Sequence, residues 1–397
     1  VNQNTLQRFD KLWLKNIYYN LKHYQRFKPL NQLLKNHTTK PVVIVSAGPS
    51  LNQSLPLLKE YRQQVVIVAV DTAIHVLNTF GIDADFLLSV DAQSANFLHL
   101  RNYQGKARLI IDITVSYLTM RHLHGFYYLF ANPLPAANFF LKKIFNADLA
   151  ELQFGGSVST NAFDFTLQLK PASIYFCGLD LSFVNKQIHA KGSALEEASL
   201  SKTNRLLSPQ LQNYRQITAI DRRYLKNKSG KLVPTNDKLL LFYNWYISQF
   251  SKLQNDSTTP KLYIVDGQGA YFQKVETISI SNFEQQLKLV ENQLQSIDSN
   301  TILDQPIFEF NTLLDSINDR LDSMLTLLNK PPSPDLALHL LHEDNQSKLP
   351  ILKLLSAGMQ NQLNQNFNNL TNNELAAFFQ GLQANCLLHK KLIQRLL

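Results

Sequence analysis

Between residues 41 and 275 the chain returns seven times to a short, unbroken apolar run: VVIVSA (42–47), VVIVAV (65–70), FLLSV (86–90), RLIIDI (108–113), YYLFA (127–131), SIYFCGL (173–179) and KLYIVD (261–266). Most are rich in Val and Ile and are apolar at consecutive rather than alternate positions. Strands read this way when both faces are covered, which points to a mainly parallel sheet between layers of helix. Parallel neighbours need long crossovers, and PSLNQSLPLLKEYRQQ between the first two runs offers one, with Leu51, Leu55 and Leu58 at helical spacing. The expected fold class is α/β, a mainly parallel sheet with flanking helices, plus an all-α C-terminal region.

The flanks differ in character. Residues 1–40 read as an amphipathic helical linker, 41–280 as the Rossmann-like α/β domain, and 281–397 as a helical domain. In the last, KPPSPD (330–335) interrupts the helices, and TNNELAAFF places Thr371 or Asn372 as an N-cap before an acidic first turn. The 397 residues suit two domains or one large one with additions. No window approaches the ~18 apolar residues of a membrane span, so no membrane insertion is expected. The N-terminus carries no signal-peptide core, and it begins at Val1 rather than Met, so upstream sequence is expected. Cys177 and Cys386 both lie in apolar settings, which fits a reducing cytoplasm rather than a disulfide framework.

Polar residues gather where the apolar runs end. The first run ends in Ser46-Ala47-Gly48-Pro49-Ser50, the second in Asp71-Thr72-Ala73, the third in Asp91-Ala92-Gln93 and the sixth in Gly178-Leu179-Asp180. Ligands of open α/β sheets bind beyond the carboxyl ends of the strands. One such Asp or Ser is an ordinary helix cap; four on one edge argue for a site. Gly48 permits a sharp turn or close backbone approach, and Ser50 would cap a helix whose N-terminus attracts an anion. The turn is neither a Walker A loop nor G-x-G-x-x-G. A second small-residue turn, FGGSVSTNAFDF (154–165), carries Gly155, Gly156, Ser157, Ser159 and Thr160 and reads equally as an anion cradle or a capped glycine turn. His189, in GLDLSFVNKQIHAKGS (178–193), follows a strand end and is the best acid or base candidate among ten histidines.

Two features are set aside. Asp83-x-Asp85 precedes the third run, at the opposite edge, and reads as a turn; no cluster offers a metal site. The net charge of +9 concentrates between Lys202 and Lys238, but without the interleaved aromatics of a single-strand platform, so no nucleic acid is expected. That segment, with Arg222 and Arg223, reads instead as a possible lid over an acidic ligand.

Taken in order, PVVIVSAGPSLNQSLPLLKEY, VVIVAVDTAIHVLNTFGIDADFLLSVDAQ, GGSVSTNAFDFTLQL, IYFCGLDLSF with HAKGS, VPTNDKLLLFYNWY and VDGQGAYF resemble the central domain of the motility-associated factor (Maf) family, and LKNIYYNL resembles the helix before it. The likeness covers roughly residues 10–275. These are bacterial proteins implicated in glycosylating flagellin with nonulosonic acids such as pseudaminic or legionaminic acid. Their central domain is similar to bacterial sialyltransferases that use CMP-sialic acid, with a Rossmann-like, GT-A-like fold and no metal. The resemblance implies a cytoplasmic glycosyltransferase with a CMP-activated nine-carbon sugar as donor, flagellin or another surface protein as acceptor, and no cofactor. By position, Gly48, Pro49 and Ser50 would face the nucleotide, Asp71 and Asp91 the nucleotide or sugar, and Gly156, Ser159 and Thr160 the sugar and phosphate. His189 and Asp180 are the catalytic candidates.

Two positions depart from the family pattern. Ser46 stands for the first glycine of Gly-x-Gly-Pro-Ser, and GKLVPTND lacks the base histidine found before the matching helix in the sialyltransferases. Two alternatives therefore stand beside transfer. One is a hydroxymethylpterin-type pyrophosphokinase using Mg-ATP, with Asp71, Asp91 and Asp180 as carboxylates. The other is a non-catalytic flagellin-binding protein.

Overall fold

A computed structural model describes residues 3–35, 37–219, 221–253, 259–290, 309–347, 349–354, 359 and 362–396. All seven apolar runs are strands. Eleven strands are present among the described residues: β1 Phe27–Pro29, β2 Val42–Val45, β3 Val66–Val70, β4 Phe86–Ser89, β5 Arg108–Ile111, β6 Tyr127–Leu129, β7 Ser173–Cys177, β8 Arg223–Lys226, β9 Leu232–Thr235, β10 Lys261–Val265 and β11 Glu276–Ile278. Nine form one sheet in the order β1-β6-β5-β4-β3-β2-β7-β10-β11. Every pair in it is parallel. The chain is thus α/β, a mainly parallel sheet with flanking helices and further helices at its C-terminal end.

Every residue of β2, β3 and β4 is buried, which is why these strands are apolar throughout rather than alternating. The helix Val158–Gln168 covers one face, and its Phe163 meets Phe176 of β7 and Phe250 of the helix Asp237–Leu253 at ring separations of 5.3 and 5.5 Å. Each fully buried ring of this kind contributes roughly 1.5–3 kcal/mol. β1, β11 and the antiparallel hairpin β8–β9 carry no comparable apolar run. They sit at or outside the sheet's margins, where Pro29 and Pro234 are tolerated.

The first forty residues contribute β1 to the sheet as well as the helix Gln3–Leu21. That helix crosses the ends of β4 and β5. Asn16 donates to the carbonyls of Ala92 and Thr114 at 2.9 and 3.0 Å, and Asn20 to those of Ile113 and Val115 at 2.8 Å each. One helical turn separates the two amides, so both face the same loops. On the same helix Tyr18 is bonded to His389 of the helix Asn372–Gln394 at 2.8 Å.

Helices Phe310–Leu328, Pro334–Gln346 and Asn372–Gln394 make up the C-terminal region. Thr371, not Asn372, is the last helix's N-cap, in a reciprocal capping box with Glu374. KPPSPD ends one helix and starts the next, with Ser333 as cap and Pro334 in the first turn. Residues 291–308 of the expected helices lie outside the described residues, as do parts of ILKLLSAGMQNQLNQNF. Both cysteines are free and buried, and burial pushes each thiol up to about 12. No helix among the described residues is long and apolar enough to cross a membrane.

Candidate functional site

The sheet has one topological switch. From β2 the chain builds outward through β3, β4, β5 and β6, then returns to place β7 on the other side of β2. Register keeps the strand ends level, with Val45 opposite both Ala69 and Cys177. The crevice beyond β2 and β7 is where such folds bind ligands. The Ser46–Ser50 turn leaves β2 there, and Gly178-Leu179-Asp180 leaves β7.

There the backbones come very close. Ser46 N–H donates to the Cys177 carbonyl and Gly48 N–H to the Gly178 carbonyl, both at 2.9 Å. A Cβ on Gly48 would lie 2.4 Å from the Gly178 oxygen and 2.5 Å from Asp180 Oδ2. Gly178 has φ +77°, and a Cβ there would meet the Ser46 oxygen at 2.2 Å. Both positions need glycine for close approach. The helix Leu51–Glu60 then starts at Pro49-Ser50. Ser50 occupies the cap position, but its hydroxyl does not cap the helix. Instead its backbone N–H donates to Asp180 Oδ2 at 2.8 Å, so an internal carboxylate already answers this helix end.

Asp180 is 3% exposed. Burial raises its pKa from the ordinary 3.8 to about 6; bonds from Ser50 oppose the shift and the Asp266 charge adds to it. The VDGQGAYF loop closes over it. Ala270 N–H donates to the Asp180 carbonyl at 2.8 Å, and a Cβ on Gly269 would sit 2.4 Å from that oxygen.

His189 belongs to the same corner. Its neighbour Ala190 donates N–H to the Ala47 carbonyl at 2.8 Å, which brings the imidazole close to that backbone. Burial holds its pKa below the usual histidine value, the Ala47 bond opposes this, and Lys238 adds to it. A neutral imidazole has one ring nitrogen that can accept a proton. Two more histidines stand nearby. His75 pairs with Glu197 at 3.1 Å, and His99 is held down to about 4 by burial and by His189 and His75.

Asp71 and Asp91 part company. Asp71 is fully buried, accepting from Ser89 Oγ at 2.8 Å, Asn96 Nδ2 at 2.9 Å and Thr72 N–H at 2.8 Å. Burial raises its pKa to about 6. Asp91 is half-buried and receives Gln93 N–H at 2.9 Å. Sequence reasoning missed a third aspartate of this kind. Asp112, just past β5, accepts from Thr114 and from Asn132 beyond β6 at 2.7–2.9 Å, and burial raises its pKa. Its signal was present in RLIIDI, an Asp closing an otherwise apolar run.

The second glycine turn is knit internally. Thr160 is fully buried, receives Gly155 N–H at 3.0 Å and donates to the Ser157 carbonyl at 2.6 Å. Ser157 caps the helix through Ser159 N–H, and the two hydroxyls lie 3.1 Å apart. Gly156 has φ +92°, and Gly155 leaves no room for a Cβ beside the Trp245 ring, 2.6 Å away. Because β7 begins soon after this helix ends, its N-terminus lies at the carboxyl edge of the sheet, as the cradle reading requires.

The basic segment folds into helices Ala194–Leu200 and Pro209–Thr218 and the hairpin β8–β9. The hairpin hangs beside Asp180: Phe183 N–H donates to the Pro234 carbonyl, Thr235 Oγ to the Leu181 carbonyl and Tyr271 N–H to the Lys226 carbonyl, all within 2.9 Å. Arg223 pairs with Asp237 at 2.7 Å, while Arg222 is exposed. Asp85 pairs with Arg62 at 2.8 Å and receives Ile67 N–H at the opposite sheet edge, the structural role read for Asp83-x-Asp85. Among the described residues no group of three His, Cys, Asp or Glu is placed to hold a metal ion.

The family model described as "6-hydroxymethylpterin diphosphokinase MptE-like" matches residues 13–186. Two curated relatives come from Treponema pallidum (strain Nichols), both described as uncharacterized. One is 36% identical over 89 residues, which is 22% of this chain and 41% of that protein. The other is 26% identical over 214 residues, 52% of this chain and 37% of that protein. The matches thus span about two-fifths of those relatives' length. Among solved structures, the Maf glycosyltransferase from Magnetospirillum magneticum AMB-1 superposes with a TM-score of 0.55 at 14% identity, over 98% of this chain and 59% of that one. The resemblance read from the ordered motifs is therefore met in three dimensions: nearly the whole chain has the fold of a Maf glycosyltransferase.

Proposed function

We propose that this chain is a glycosyltransferase that moves a nonulosonic acid, of the pseudaminic, legionaminic or sialic type, from a CMP-activated donor to a Ser or Thr hydroxyl of flagellin or another surface protein, in the bacterial cytoplasm and without a metal cofactor. The observation that carries this reading is the meeting of His189 and the Ala47-Gly48-Pro49-Ser50 turn at the switch between β2 and β7. Donor phosphate and cytidine would lie along that turn, with Asp91 and the start of the Gly156–Thr160 helix facing the sugar.

Asp71, Asp180 and Thr160 then act by shaping the crevice, since their polar atoms are held by protein partners. His189, as a neutral ring, takes the acceptor's proton. As it does so the hydroxyl oxygen bonds to the anomeric carbon, and the bond to the phosphate oxygen breaks with both electrons leaving on CMP. Such a base is worth roughly 10²–10⁴ in rate. In this role His189 replaces the histidine missing from GKLVPTND.

The family match over residues 13–186 favours a second reading, a pyrophosphokinase using Mg-ATP. Of the three carboxylates it would need, Asp71 and Asp180 are spent inside the fold, and Asp91 remains half-open. The third reading, a non-catalytic flagellin-binding protein, draws on the carboxylate already seated at the Ser50 helix end.

Calorimetric titration separates them. Transfer predicts CMP binding without metal, its loss in Gly48→Ala, and turnover falling about a hundredfold or more in His189→Gln. Binding of Mg-ATP with hydroxymethylpterin but not of CMP would replace transfer by the kinase. Silence from both nucleotides leaves the partner-binding reading.

A further inference from the structure

Beside His189 lies a cleft of about 200 Å³. Its walls are helices Ala194–Leu200 and Pro209–Thr218, with Glu196, Ser199, Lys202, Asn213 and Gln216 facing it together with His189. The volume falls below the ~300–1,000 Å³ of drug-sized ligand sites, so a nucleotide sugar does not fit, whereas one or two amino-acid side chains do.

Its polar inventory is unbalanced. The carboxylates of this cap are occupied: Glu196 receives Gly192 N–H at 2.6 Å, and Glu197 pairs with His75. Ser199 Oγ receives Gln216 Nε2 at 3.2 Å and keeps its own proton free. The Asn213 amide and the Lys202 ammonium, both in the lining, have no side-chain partner among the described residues. A free amide suits a peptide backbone, and an unpaired cation suits a carboxylate.

We propose that this cleft is a polypeptide-binding subsite. It takes an extended segment that presents a Ser or Thr hydroxyl to His189 and carries an acidic residue beside it. Lys202 selects the acidic flank, Asn213 holds the backbone, and His189 joins the subsite to the donor crevice. The assignment rests on the transfer reading for the role of the hydroxyl, but peptide binding is measurable without turnover.

The test uses the whole chain and a short fluorescent peptide with one Thr between Asp and Leu residues, beside a counterpart with Lys in place of Asp. Anisotropy gives peptide affinity and calorimetry gives CMP affinity. The parent is expected to prefer the Asp peptide. In Lys202→Glu the ratio of Asp-peptide to CMP affinity should fall about tenfold and the preference should reverse. Ala198→Trp, which fills the cleft, should lower the ratio for both peptides. No preference in the parent, or an unchanged ratio in both variants with parental dichroism and melting temperature, overturns the subsite. Peptide binding that follows this pattern in a chain that never releases CMP from a CMP-activated sugar upholds the subsite and sinks only the transfer reading.

Discussion

The carboxyl edge of the sheet ends in buried aspartates on both sides, yet the two sides do different things. Over β4, β5 and β6 the edge is closed. Asp112 is locked by Thr114 and Asn132, and Asn16 and Asn20 of the first helix tie down four carbonyls just beyond. Over β2 and β7 the aspartate is buried too, but no side-chain amide holds it: Asp180 receives the Ser50 helix end, and His189 beside it borders a cleft. An Asp after an apolar run is thus the same signal in both places. Its meaning depends on whether amides from elsewhere consume its oxygens. Buried polar groups must be satisfied, so the amides convert a would-be site into a clamp.

Breaking the closed side should give the largest effect. Asp112→Ala strands the donors of Thr114 and Asn132, and should cost about 3 kcal/mol of stability in urea unfolding. A loss below ~0.5 kcal/mol would show that this edge is not a clamp.

Next in size is a contrast in pH response. Asp180 has a folded pKa of about 6 against an ordinary 3.8. The folded state therefore holds the extra proton between these values, so this stabilising contribution is full below 3.8 and lost as pH rises through 6. His389, at the junction with Tyr18, is held at about 4 against 6.5, chiefly by burial. Its contribution has the opposite slope: full above 6.5 and lost as pH falls through 4. Melting temperature followed between about pH 4 and 7 should show a shallower alkaline decline in Asp180→Asn, where Asp71 still contributes, and a shallower acid decline in His389→Phe, where His99 still contributes. Curves parallel to the parent's would refute the two burial effects.

The smallest effect is expected outside both sides, on the hairpin. The Arg223–Asp237 pair is exposed, so Arg223→Ala should change stability by no more than ~1 kcal/mol. If Arg222, which is exposed, contacts the acidic donor, Arg222→Ala should weaken donor affinity about tenfold or more, and an unchanged value in calorimetry would remove the hairpin from the site.

Much of the scaffold was legible. The seven strands buried on both faces announced themselves because a covered strand must be apolar at every position. The edge strands β1 and β11 and the hairpin β8–β9 were not seen, since three or four half-exposed residues carry no period. His189 and the Ala47–Ser50 turn were placed at one edge by counting strands, and they do adjoin. The opposed fates of Asp91 and Asp71 were not legible. Asn96, which helps to commit Asp71, lies 25 positions along the chain, and Asn132 lies 20 from Asp112.

The sequence by itself determined the parallel sheet, the carboxyl edge as the polar one, and the glycines that permit close approach. These follow from local periodicity and backbone sterics, which each segment carries within itself. Only the tertiary structure decided how each strand end is closed. It seated Asp180 at the Ser50 helix end, set His189 against Ala47, and folded the basic segment into the walls of a cleft. Each of those outcomes depends on hydrogen-bond partners supplied by distant parts of the chain, and no local pattern encodes who will satisfy whom.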